Sequence, residues 1–202
     1  MTVNLPSLPF ALEWSDGVEP PSWGVTESGL EATAAGKTDW YVYAPDPNYA
    51  PNNAARLLGP APEGEWQFSA RVSVDFTGTF DAGTLLLQVD EDHWSKLALE
   101  YSPEGRGMVV SVVTRGTSDD ANAWTIEGRE VWLRISRVEG AFAFHAGNDG
   151  EKWEFVRSFD FGVEGPVNAG FGVQAPDGDG CKATFDHIAF KQEGLQDLRD
   201  GS

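Results

Sequence analysis

The chain has 202 residues, with 32 Asp and Glu against 14 Lys and Arg, for a formal net charge of −18. That balance argues against a nucleic-acid partner, because phosphate binding needs concentrated Lys and Arg. No run is long and apolar enough to cross a membrane as a helix. With 41% hydrophobic residues, 8 Trp and 12 Phe, a sizeable core is available, and 23 Gly with 12 Pro favour many turns over long helices.

In chain order, Gly29–Thr33 and Asp39–Tyr43 read as short strands, followed by a Pro- and Asn-rich connection over 45–62 that carries Tyr49 and Arg56. Glu65–Phe76 alternates most clearly. Trp66, Phe68, Ala70, Val72, Val74 and Phe76 share one face, and Gln67, Ser69, Arg71, Ser73 and Asp75 the other. Leu85–Val89 and Trp94–Tyr101 follow across an acidic turn, then the valine-rich Met108–Thr114. Val131–Val138 alternates again. Ala141–Ala146 and Trp153–Phe159 are joined by Gly147-Asn148-Asp149-Gly150, a strong hairpin signal. Gly170–Gln174 and Ala183–Phe190 close the series. Regular strands with turn signals and almost no helical periodicity predict an all-β fold of two antiparallel sheets packed face to face, as one domain over 1–190. The polar tail 191–202 is expected to be disordered or loosely docked.

The acid is spread along the chain, which suits a well-solvated surface or, more sharply, adaptation to high salt. Cys181 is the one cysteine, so no internal disulfide is possible. With an N-terminal segment unlike a secretory signal, this points to a cytoplasmic setting. Cys181 reads as a half-buried strand residue, and its pairing with His187 as nucleophile and base has no further support. Asp177-Gly178-Asp179-Gly180 opens like a calcium loop but lacks the later ligands, so it reads as a turn. Asp90, Asp92 and His93 form a weak cation candidate, and His93, His145 and His187 are too scattered for zinc. No cofactor motif is present, and neither metal nor cofactor is expected.

The second strand of the acidic hairpin carries the most pointed signal. Ser95, Leu97, Leu99 and Tyr101 fall on one face and Trp94, Lys96, Ala98 and Glu100 on the other. In a sandwich, the outward residues of successive strands converge, so Trp94, Lys96 and Glu100 are expected to meet Trp132, Arg134 and Gln174, with Asp39 and Trp40 at the rim. Indole rings stack on sugar C–H faces, and carboxylate, amide and guanidinium groups fix the hydroxyls. The leading expectation is therefore a non-catalytic carbohydrate-binding or sugar-sensing module, and the plain alternative is a row of surface ion pairs over tryptophans packed beneath loops. A glycoside hydrolase using Glu100 with Asp119 as its carboxylate pair is the enzymatic alternative. The closely spaced E-x-D-x-x-E acids of glucanases are missing from the strand.

These pieces together resemble a known family. Asp39-Trp40, Asp81-x-Gly83, the run His93-Trp94-Ser95-Lys96-Leu97-Ala98-Leu99-Glu100, Ser111-Val112-Val113-Thr114 with Ser118-Asp119, Asn148-Asp149-Gly150 with Trp153, and Gly172-Val173-Gln174-Ala175-Pro176 before Phe185-Asp186 follow the order of the DUF1349 family. The resemblance spans roughly Leu8 to Phe190. It implies a concanavalin A-like jelly roll, related in shape to lectins and glucanases. Because relatives include a fungal regulator of enolase, it also implies a protein-interaction role in sugar metabolism as a third reading. In the family a tryptophan often follows Ser-Asp directly. Here Asp120, Ala121 and Asn122 intervene, and Trp124 is the candidate replacement for that stacking wall.

Overall fold

The alternation of residues 66–75 builds the central strand of one sheet, and its apolar face closes the core. The computed structural model describes residues 1–202. Its strands are β1 (Thr2–Val3), β2 (Leu12–Trp14), β3 (Ser22–Val25), β4 (Gly29–Thr33), β5 (Ala55–Pro60), β6 (Trp66–Asp75), β7 (Ala82–Gln88) and β8 (His93–Tyr101). They continue as β9 (Gly107–Arg115), β10 (Thr117–Thr125), β11 (Glu130–Val138), β12 (Ala141–Gly147), β13 (Glu154–Phe159), β14 (Asn168–Gln174) and β15 (Lys182–Lys191). The larger sheet has eight strands in the order β1-β2-β5-β14-β7-β8-β9-β10. The smaller has seven, in the order β13-β12-β11-β6-β15-β4-β3. Every pairing is antiparallel, giving the all-β, concanavalin A-like sandwich.

The inner faces share one core of 39 buried residues, including Trp66, Phe68, Phe144, Phe171 and Phe185. Gly83 sits where the sheets press closest: a Cβ there would lie 2.9 Å from Val72 and 3.0 Å from Ala183. A second cluster of ten buried residues lies on the outer face of the larger sheet. It includes Leu86, Trp94, Ala98, Met108, Val110 and Val112, roofed by Trp40 and Ala54 from the long connection before β5. Cys181 is buried, and its Sγ is 3.3 Å from the Gln174 carbonyl.

The structure differs from the sequence expectation at several elements. Residues 39–43 are not a strand. They form the start of a loop tied down by isolated bridges Thr38↔Ala175 and Trp40↔Asn52, because Asp39, Asn52 and Asn53 supply local hydrogen bonds that replace a ladder. β5 emerges from within the expected connection 45–62. β10 was also unforeseen, since its polar sequence TSDDANAWT carries none of the alternation of a half-buried strand. As the edge of its sheet, it has only β9 to pair with, and exposed acids suit that place. The segment after β15 is not loose. It packs on the outer face of the smaller sheet through Gln67, Arg134 and His145. The turn Asp177–Gly180 is closed by Lys37 Nζ, which donates to the Asp177 carbonyl, and by Thr77 Oγ1, 2.7 Å from the Gly180 carbonyl.

Candidate functional site

Register decides what meets on the outer face of the larger sheet. Lys96 pairs with Val112 on β9, and Val112 pairs with Asp120 on β10, so these three side chains form one cross-strand row. Glu100 pairs with Ala82, which pairs with Gln174 on β14. The loop 35–54 crosses above. Lys96, only 4% exposed, donates from Nζ to Gln174 Oε1 at 2.9 Å and to Asp39 Oδ1 at 3.3 Å. Asp39 is itself held by accepting the Trp40 backbone N–H at 2.7 Å.

Electrostatics bind the group together. Glu100 is pushed up to about 8, first by burial and further by the nearby Asp120 and Asp39 carboxylates, with Lys96 opposing. Asp120, exposed at the sheet edge but with its carboxyl end partly screened from solvent by its neighbours, is likewise raised, first by that desolvation and then by Asp39, against Lys96. The Tyr41 phenol is raised by burial and by Asp120 and Asp39. One ammonium thus serves three carboxyl groups, and at neutral pH Glu100 keeps its proton. A protonated carboxyl donates as well as accepts, which widens what it can bind. Tyr43 and Tyr49, 43% and 61% exposed, stand on the same loop with their rings 6.4 Å apart. The loop is stapled to β10, since the Val42 N–H donates to Ser118 Oγ and the Ser118 N–H to the Val42 carbonyl, both at 2.9 Å.

The structure brings together Asp39, Trp40, Trp94, Lys96, Glu100 and Gln174, although the two indoles do not face solvent. Trp94 is 1% exposed, and Trp40 stacks on it with ring centroids 3.9 Å apart and planes 15° apart. The Arg56 guanidinium covers Trp40 from its other side at 4.3 Å and is anchored by Asn52 and Asp16. Trp94 therefore cannot stack on a ligand, because its own loop occupies that place. Beneath this lid a cavity of about 10 Å³, lined by Trp40, Arg56, Thr84, Lys96, Gly172 and Gln174, is no larger than one water molecule.

Trp132 and Arg134 do not join the site. They belong to β11 of the smaller sheet and point away from the sandwich on its far side. Trp132 packs 5.1 Å from the His187 ring and beneath Gly150. Arg134 lies 4.3 Å over Trp153. The pair Glu100–Asp119 is not formed either. Asp119 pairs with Val113, a residue of the inter-sheet core, so its side chain leaves the opposite face, where Arg157 Nη2 donates to its Oδ1 at 3.0 Å. A one-residue step along a strand exchanges the faces. The acid on the side of Glu100 is its neighbour Asp120. Four residues along and two strands across place the Glu100 and Asp120 Cα atoms roughly 16 Å apart. Even with both side chains extended, that exceeds the about 5–5.5 Å of a retaining pair. Trp124 packs against the main core and provides no stacking wall.

Sequence reasoning missed Asp120 and Tyr41. Counting outward from the Gly116 turn, where Thr117 faces Arg115, would have put Asp120 rather than Asp119 opposite Val112 and in line with Lys96.

The signature run on β8, with Asp39-Trp40 folded over it, is matched together with the rest of residues 17–193 by the model of the family described as Protein of unknown function (DUF1349). The chain belongs to the DUF1349 family. A curated relative, "Regulation of enolase protein 1" of Saccharomyces cerevisiae, is 27% identical over 134 residues, covering 66% of this chain and 67% of the relative. A crystal structure of a functionally unknown protein from Saccharomyces cerevisiae superposes with a TM-score of 0.79 at 23% identity, over 89% of this chain and 95% of that one. The carbohydrate binding module CBM66 from Bacillus subtilis superposes with a TM-score of 0.58 at 13% identity, over 89% and 94%. These two likenesses establish a shared fold with the family sandwich described above.

Proposed function

We propose that this DUF1349 chain is a non-catalytic carbohydrate-binding module whose site is the rim of the larger sheet, formed by Glu100, Asp120, Lys96 and Tyr41 beside the exposed Tyr43 and Tyr49. The observation that carries this reading is the polar row Asp120–Lys96–Gln174 and Glu100, held rigid by strands and bordered by tyrosines on a stapled loop. Protonated Glu100 donates to a hydroxyl, Asp120 accepts from one, and a tyrosine ring supplies the apolar floor for a pyranose or furanose face. The buried Trp40–Trp94 stack positions the loop and does not touch the sugar. The likeness in fold to a carbohydrate binding module, over 89% of this chain and 94% of that one, supports the reading. The wide spacing of Glu100 and Asp120 favours binding over retaining hydrolysis.

Calorimetric titration with a panel of neutral and acidic oligosaccharides tests it. At least one glycan is expected to bind with micromolar to millimolar affinity, and Asp120→Ala and Tyr41→Ala are expected to weaken it tenfold or more. A flat response across the panel, or binding indifferent to both substitutions, refutes the assignment. A regulatory role by contact with an enzyme of sugar metabolism is the second reading, supported by the name of the yeast relative. Co-purification of such an enzyme, lost on substitution of Tyr43 and Tyr49, would favour it.

A further inference from the structure

The smaller sheet carries a second polar-aromatic patch on its outer face. Arg134 of β11 stands between Ser69 of β6 and His145 of β12, and His145 faces Phe155 of β13. Arg134 is 5% exposed, yet no carboxylate reaches it. Its guanidinium lies over Trp153, Nη1 donates to Gln67 Oε1 at 3.1 Å, Nη2 donates to the Gly201 carbonyl, and Nε has no partner. His145 is fully buried. Its Nε2 donates to the Leu198 carbonyl at 2.9 Å, and Nδ1 has no partner. Burial pulls the guanidinium down to about 10 and the imidazole to about 4. A buried cation without an anion is costly to keep. Packing of the sandwich does not require it, because these groups point away from the core.

What covers the patch is the segment after β15. Residues 194–202 add no strand. They fold into a closed loop in which the Gln196 N–H donates to the Ser202 carbonyl at 2.6 Å and the Gly201 N–H to the Asp197 carbonyl at 2.9 Å. Gln67 Nε2 reaches the Gly194 carbonyl at 3.3 Å, and the Arg199 guanidinium lies 4.6 Å over the Phe155 ring. Recognition is thus largely of main-chain carbonyls. Gly194 is pressed only against the end of the flexible Glu65 side chain, and the strictest side-chain demand is at Gly201. That residue has φ +72°, and a Cβ would come within 2.2 Å of Arg134 Nη2 and 2.9 Å of the Trp153 Cβ.

We infer that the outer face of the smaller sheet is a peptide-binding site, occupied in cis by residues 194–202 and able to take a short acidic, glycine-anchored peptide in trans when that segment is displaced. Carbonyl-directed contacts belong to no particular sequence, so a foreign chain presenting glycine at the anchor fits. The acid next to that glycine here, Asp200, acts through its charge on His145, and Arg134 remains a cation without a carboxylate partner for an incoming acid to meet. The tether gives the resident segment an effective concentration on the order of millimolar, which holds the site closed against weak competitors.

The test uses the full chain carrying Gly201→Val. The substitution lies ten residues beyond β15, so the sandwich stays folded, as its melting transition and circular dichroism will show. Trypsin cleavage after Arg199 is expected to accelerate tenfold or more, and the His145 imidazole, followed by NMR, is expected to move from about 4 toward the ordinary histidine value. The amidated peptide GLQDLRDGS, added to this variant, is expected to bind and to return His145 to its original titration. It should bind the unsubstituted chain at least tenfold more weakly, and the same peptide with valine in place of its second glycine, the counterpart of Gly201, should bind neither. Unchanged cleavage and titration in Gly201→Val would show that the anchor does not hold the segment. A released segment with no binding of the peptide would show that the face is not a peptide site. Either result overturns the inference.

Discussion

Glu100→Gln probes the central electrostatic feature directly. Burial, Asp120 and Asp39 raise the carboxyl from 4.5 to about 8. A carboxyl raised in the folded state costs nothing below its unfolded pKa. The cost then grows as the pH rises toward the folded value, because the unfolded chain releases its proton first. From these two values it is about 1 kcal/mol at pH 5, about 3 at pH 7 and about 5 at pH 9. Part of Glu100 touches solvent, so these are upper bounds. Glutamine has the shape of the protonated acid and cannot ionise. It is therefore expected to stabilise the fold little at pH 5 and by up to about 5 kcal/mol at pH 9. For a chain of this size the difference of about 4 kcal/mol corresponds to roughly 8–16 °C in Tm. Thermal melts of both proteins across pH 5–9 measure it. A gain that does not grow with pH, or a loss at pH 9, would mean that Glu100 is an ordinary ion-pair partner of Lys96 and would remove the neutral donor from the proposed site.

Two further outcomes follow from other parts of the molecule. Trp40→Ala removes the ring between Trp94 and Arg56, and should cost about 3 kcal/mol and shift the tryptophan emission to the red as Trp94 meets water; an unchanged melt and spectrum would contradict the lid. His145, held down at about 4, withdraws stability as the pH falls from 6.5 toward 4, because the unfolded chain protonates first. Denaturant melts of His145→Gln should therefore lose about 3 kcal/mol less than the parent between pH 7 and pH 4, and parallel profiles would show that the imidazole is not buried neutral.

Architecture was largely readable from residues because the strands that build the core obey a period of two, and each phase read on β6, β8 and β11 places its apolar set between the sheets. The site was harder, for physical reasons that differ residue by residue. Trp94 and Lys96 were placed on the correct face, but alternation says nothing about what folds over a face, and the lid formed by Trp40 and Arg56 depends on side-chain hydrogen bonds of Asp39, Asn52 and Asn53. Trp132 and Arg134 were likewise outward, but alternation cannot say which sheet a strand joins. That is set by β11 pairing with β6 and β12, a contact distant in sequence for the first. Asp119 rather than Asp120 is the expected partner of Glu100 in the sequence because TSDDANAWT carries no strand alternation, and without a register the two faces of β10 are interchangeable.

The lone sulfhydryl has a practical use. Cys181 is 2% exposed and its thiol is pushed up to about 12 by burial and by the nearby carboxylates of Asp81 and Asp75. Thiolate is the reactive form, so the native molecule is silent toward alkylating and disulfide reagents. Modification then proceeds only through an opening that uncovers the segment just before β15. Its rate becomes an internal clock for how often that part of the core opens, readable by mass spectrometry without any introduced label.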